Sequence, residues 1–143
     1  MKGSVSLDKV ILDTNNIISL FLKGNFGYLS DLKFKYNIEL CTCPEQIAEL
    51  EEVLSRHNNY FRKNLKLPLF EYISFFQSHS VSYDISLRYD GIDDMKDNFL
   101  IDLAYTSKAF YIISGDRLVL AKKHVKRIQI ISMTQFNKML RLL

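Results

Sequence analysis

Apolar residues in this chain fall into two kinds of pattern. Short blocks at Lys9–Asp13 (KVILD), Ile38–Cys43 (IELCTC), Val81–Ile85, Phe110–Ser114 (FYIIS) and Arg127–Ile131 (RIQII) have the length and β-branched content of strands. Between them lie segments with helical spacing: Asn16–Leu22, stopped near Gly24, then Tyr28–Lys35, and PEQIAELEEVLSR from Pro44. Pro44 stands where a helix tolerates proline, in its first turn. Further helices are expected over Pro68–His79, Asp94–Ser107, around Leu118–Lys122, and from Met133 to about Leu142. In the Pro68 helix the expected apolar face is Leu69, Phe70, Ile73, Phe75 and Phe76.

Strands therefore alternate with helices, and several strands are apolar throughout. Together these predict an α/β domain, a parallel sheet of about five strands covered on both faces. No repeat, low-complexity segment or long linker divides the 143 residues, so one domain spanning 1–143 is expected. A chain of this length buries enough surface to fold without a disulfide or structural metal.

Charge and cysteine content change this picture little. A formal net charge of +3 is compatible with an anionic partner but does not name one. Cys41 and Cys43 stand two apart, so in a strand they point to the same side, at a Cα separation of about 6.5–7 Å that ill suits a disulfide. His57, His79 and His124 are scattered, without zinc spacing. Reduced thiols, no basic leader before an apolar run, and no apolar stretch near the ~20 residues of a membrane span predict a soluble cytoplasmic protein.

Candidate chemistry lies at strand ends, because open α/β sheets bind ligands outside the carboxyl ends of their strands. Asp13 closes the first strand and is followed by Thr14, Asn15 and Asn16; Asp116 closes the fourth, in Ser114-Gly115-Asp116. If those strands are neighbours, both carboxylates face one crevice. Each also has a plainer role, Asp13 as a helix N-cap and Asp116 as a turn residue. The helix from Asp94 adds Asp93, Asp94 and Asp97, where the helix dipole alone favours acids. Around that helix the apolar stripe is Leu100, Leu103 and Ala104; Asp97 borders it, while Asp102 is expected to face solvent. On the Pro44 helix the stripe is Ile47, Leu50, Val53 and Leu54, flanked by both Glu49 and Glu51, and helical geometry does not choose between them.

These segments resemble the PIN-domain ribonuclease family over nearly the whole chain. VILDTNNIIS is similar to the family's first strand with its Asp-Thr-Asn motif, placing an acid at Asp13. PEQIAELEEVL resembles the helix that supplies a glutamate, which selects Glu49. DDMKDNFLIDLAY resembles the Asp-x-x-Asp-x-Phe-Leu stretch, with the third acid at Asp97 and Asp94 beside it. FYIISGDRLVL resembles the strand and Ser/Thr-Gly-Asp segment, with Asp116 as fourth acid and Ser114 as its hydroxyl. Asn16 departs from the pattern, which more often has an apolar residue there.

The resemblance implies a three-layer α/β/α domain that hydrolyses RNA with Mg²⁺ or Mn²⁺. Its nearest likeness is to the toxins of bacterial toxin–antitoxin pairs, which implies an antitoxin partner; a homodimer is also plausible. Oxygen-rich sites suit these cations, and a bound ion makes its water more acidic. On this reading Asp13, Asp97 and Asp116 hold metal, Glu49 completes the acidic set, and Asn15 and Ser114 orient ligands or phosphate. Clustered acids imply a carboxyl of raised pKa in the metal-free crevice. The basic, aromatic stretch Arg56–Lys66 suits single-stranded RNA, though a solvated loop explains it as well. The run Lys122–Arg127 reads as charge protecting a strand edge. Two rivals are a PIN-like interaction domain without catalysis and a phospho-acceptor α/β domain; the latter is disfavoured because Asp13 is not followed by a second Asp two residues on.

Overall fold

In the computed structural model, which describes residues 8–57, 60, 63–85, 98–116, 120, 124–125 and 127–143, the chain starts with β1 (Lys9–Leu12) and turns directly into α1 (Thr14–Leu22). Next comes α2 (Phe26–Ser30), continued by a π-helical turn over Asp31–Lys35 that closes with the Tyr36 amide on the Asp31 carbonyl at 2.9 Å. Asn37 then takes a left-handed conformation (φ 56), which asparagine tolerates better than most side chains, and breaks the helix before β2 (Glu39–Thr42). The remaining elements are α3 (Pro44–Arg56), α4 (Leu69–Ser78), β3 (Ser80–Ser82), α5 (Asn98–Ser107), β4 (Tyr111–Ile113), β5 (His124–Val125), β6 (Ile128–Ile131) and α6 (Met133–Leu140).

The strands form one sheet in the order β3-β2-β1-β4-β6-β5. Five of them are parallel, as expected; β5 pairs antiparallel with β6 at one edge. That short strand lies in the basic run Lys122–Arg127, which carries no apolar block to announce it. Side chains alternate between two cores. Val10, Leu12, Leu40, Tyr111, Ile113 and Ile131 face helices α1, α2, α3, α4 and α6. Ile11, Cys41, Ile112, Ile128 and Ile130 face α5. Burial on both faces explains why Val10–Leu12, Leu40–Cys41, Tyr111–Ile113 and Ile130–Ile131 are consecutive apolar residues.

Three expectations need correction. The third strand ends at Ser82 instead of reaching Ile85, although the Tyr83 amide still reaches the Thr42 carbonyl at 2.8 Å. Phe70 is 67% exposed, because α4 buries Tyr72 together with Ile73 and Phe76. The Tyr72 hydroxyl is fixed there by the backbone amides of Lys66 and Leu67, and this turns the buried stripe about 100° away from Phe70. Asp102 is 2% exposed rather than solvated, since α5 buries Ile101 as well as Leu100, Leu103 and Ala104 and is covered over far more than one stripe. The expected helix from Asp94 begins, among the described residues, at Asn98, and most of the helix expected around Leu118–Lys122 lies outside them. Among the described residues no helix is long and apolar enough to cross a membrane.

Candidate functional site

The chain leaves β1 toward β2 and β3 and later returns to β4 on the other side of β1, so the sheet's topological switch lies between β1 and β4. The connection after β1 enters α1 on one face. After β4 the chain proceeds to Leu120, which packs against the opposite core. Two adjacent strands whose chains depart to opposite faces leave a crevice at their carboxyl ends. Register places Leu12 beside Ile113, so the next residues, Asp13 and Ser114, meet at that opening.

Asp13 is the N-cap of α1: its Oδ1 accepts the Asn16 amide at 2.8 Å. The other carboxylate oxygen, Oδ2, accepts the Ser114 hydroxyl at 2.5 Å, and Ser114 Oγ in turn accepts the Asp116 amide at 3.0 Å. The capping role and the role in the crevice therefore coexist in one side chain. Asn16, the departure from the family pattern, is half-buried and donates its side-chain amide to the Ile113 carbonyl at 3.1 Å, tying α1 to the end of β4. Its Oδ1 would lie 3.5 Å from a Cβ at Gly115, so the loop after β4 rests on the first turn of α1.

Asp13 is 5% exposed. Burial pushes its carboxyl above the ordinary aspartate range; hydrogen bonds from Ser114, Asn16 and Gly115 oppose this, and the neighbouring Asp116 charge adds to it. A carboxyl of raised pKa is therefore present, but its main cause is desolvation, with repulsion between acids a smaller contribution.

Glu49 is half-buried on α3, and its Oε1 accepts the Thr14 hydroxyl; Glu51 is exposed. Thr14 thus joins the glutamate's helix to the residue following Asp13. Beneath this contact, Gln46 is wholly buried, accepting the Thr42 hydroxyl at 2.6 Å and donating to the Leu12 carbonyl at 2.7 Å. Asn15 is exposed on the first turn of α1. Asp97, with Asp93 and Asp94, lies outside the described residues.

Thr14, Asn16, Thr42 and Gln46 had no assigned role in the sequence reading. Gln46 carried a usable signal, since it falls four residues before Leu50 on an otherwise apolar stripe, where a polar side chain requires an internal partner.

The donors named here at the crevice are carboxylate, hydroxyl and amide oxygens, with neither thiol nor imidazole, and a buried carboxyl resisting ionisation gains most from a cation. That chemistry fits a hard divalent ion such as Mg²⁺ or Mn²⁺. Among the described residues no three His, Cys, Asp or Glu side chains gather as a metal cluster. Asp13 and Asp116 are the two crevice acids whose charges interact there, with Glu49 linked through Thr14.

A model of the PIN domain family matches residues 9–118. The crystal structure of PAE2754 from Pyrobaculum aerophilum superposes with a TM-score of 0.64 over 94% of this chain and 90% of that one, at 13% sequence identity, which speaks to fold alone. No curated protein sequence matches the chain.

Proposed function

Because the chain belongs to the PIN domain family, whose members are commonly metal-dependent nucleases, we propose that it is a divalent-metal-dependent endoribonuclease and the toxin of a toxin–antitoxin pair. The observation that carries this reading is the buried Asp13 carboxylate, held by Ser114 across the β1–β4 switch point and disfavoured as an anion until a cation joins it. Asp13, Asp116 and Asp97 are the residues proposed to hold Mg²⁺ or Mn²⁺, with Glu49 completing the acidic set. Asp97 immediately precedes α5 in the chain. The carboxyl end of α5 sits near the start of β1, where Lys9 Nζ donates to the Ser107 carbonyl at 3.1 Å, which supports a helix running antiparallel to β1, the orientation that the proposed role of Asp97 needs.

The ion would supply an acidified water and charge relief on the phosphate. Ser114 fixes the Asp13 carboxylate by donating its proton to Oδ2, and the Asn16 amide fixes Oδ1. Asn15, exposed on the first turn of α1, is proposed to donate to a phosphate oxygen. RNA as substrate, an antitoxin as partner and a cytoplasmic setting belong to the same proposal.

The test is cleavage of a labelled tRNA pool with Mg²⁺ or Mn²⁺ by wild type, Asp13→Asn and Asp97→Asn. Cutting that needs metal and is abolished by EDTA and by either substitution supports the reading. Wild type that neither cuts nor binds metal overturns it in favour of an interaction domain without catalysis.

A further inference from the structure

The ladder between β1 and β2 pairs Lys9 with Glu39 and Val10 with Leu40, whereas the β1–β4 ladder runs on to Leu12 and Ile113. Beyond Val10, therefore, β1 loses its partner strand on the β2 side while still paired on the other. The Leu12 carbonyl points into this gap, because the Asp13 amide that follows it binds β4, through the Ile113 carbonyl at 2.9 Å. In a continuous sheet β2 would satisfy that carbonyl. Here the Gln46 side chain does so, with its amide oxygen held by Thr42 from the end of β2.

One turn further along α3, Glu49 accepts the Thr14 hydroxyl. Helix α3 is thus bonded to the chain on both sides of Asp13, at residue 12 through Gln46 and at residue 14 through Glu49. Positions 46 and 49 are three apart and share one helix face, so a rigid helix transmits the placement of one to the other. We propose that Gln46 is a positioning residue of the acidic site: by bridging the splayed ends of β1 and β2 it fixes the distance between Asp13 and the glutamate on α3. That Asp13 and Glu49 act in cleavage rests on the nuclease reading; the bridging itself does not.

Gln46→Met keeps the volume and removes both hydrogen bonds. The first measurement is amide hydrogen exchange on the metal-free full chain. Positioning predicts that protection of the Asp13 and Asn16 amides drops about tenfold or more relative to that of the Ser114 amide, which bonds to the Ile131 carbonyl on the far side of β4. A role in bulk stability alone lowers all three by one common factor, and that outcome overturns the proposal. The second is the Mn²⁺ concentration giving half-maximal RNA cleavage, expected to rise about tenfold, in the range seen when an outer partner of a metal site is lost; an unchanged value also counts against positioning. If the wild type shows no metal-dependent cleavage, the nuclease reading fails, and the exchange pattern still decides whether Gln46 bridges the strands. Should Gln46→Met not fold, Thr42→Val removes only the hydroxyl end of the relay, and the same local loss is expected at smaller amplitude; a uniform loss overturns the proposal equally.

Discussion

The two ends of the sheet use polar side chains in opposite ways. At the amino end, the Glu39 carboxylate accepts the Tyr83 hydroxyl, with the Cys41 thiol 3.5 Å away. Lys9 holds the carboxyl end of α5 through the Ser107 carbonyl and lies 5.5 Å from the Tyr83 ring centre. Burial, with Glu39 beside them, pushes Tyr83 up and the Cys41 thiol up to about 12, so both stay protonated as neutral donors. The Tyr83 and Lys9 contacts there close seams between elements. At the carboxyl end the hydrogen bonds converge on one buried carboxyl, Asp13, whose anionic form its surroundings disfavour. Polar groups that only tie elements together are used up in the contacts that join them; an ionisable group held where burial opposes its charge marks a place where chemistry is expected.

The comparison breaks most sharply at Asp13. Asp13→Asn is expected to lower metal-dependent RNA cleavage by more than about a hundredfold, beyond the roughly 10–100-fold typical of losing an outer partner of a metal site. The fold is expected to survive, because asparagine caps a helix as well as aspartate. Glu39→Gln, the matched change at the other end, should leave cleavage rates unchanged. Equal losses from both variants, measured on the same labelled RNA, would erase the distinction between the two ends.

Ser114→Ala is the next largest effect, an expected loss of about 10–100-fold in cleavage, since it removes the donor on Asp13 Oδ2 and the acceptor of the Asp116 amide together. Its opposite number is Tyr83→Phe, which removes the donor to Glu39 and is expected to cost about 1 kcal/mol in urea unfolding with no change in cleavage. A tyrosine variant that slows cleavage without loss of stability would mean that the amino end also serves the site.

Why Asp13 and Ser114 were legible in the sequence while the bridging role of Gln46 was not follows from how each is encoded. KVIL, ELCT, YII and IQII carry consecutive apolar residues instead of a strict alternation, which identifies buried parallel strands; an acid or a Ser-Gly-Asp after such a strand then falls at the carboxyl edge by construction. Which strands adjoin was carried by the family resemblance, since residues 13 and 114 come together only if β1 and β4 are neighbours. Asp102 and Phe70 were misread because a helical wheel assumes one buried stripe. It has no information about how widely α5 is buried, nor about the amides of Lys66 and Leu67 that hold Tyr72. The place of Gln46 on an apolar stripe signals an internal partner, but which partner it meets depends on β1 and β2 parting after Val10, a long-range property that no local pattern records.

The smallest effect is the pH dependence of stability in metal-free buffer. Asp13 has a raised pKa in the folded protein, chiefly through burial, so the folded state holds this proton more tightly than the unfolded chain does. Acidification therefore favours folding through this group, and its contribution is lost as pH climbs from the ordinary aspartate range through the raised value, then stays level above it. The Asp13→Asn protein lacks this term. Relative to it, the wild type is expected to lose melting temperature progressively across that window and to sit below the variant at neutral pH in EDTA. Millimolar Mn²⁺ should reverse the order by stabilising the wild type alone, because a ligand that binds only the folded state raises its stability by mass action. Parallel melting curves for the two proteins at every pH, with and without Mn²⁺, would show that the Asp13 carboxyl carries no electrostatic burden, and the contrast between the two ends of the sheet would then reduce to one of hydrogen-bond geometry.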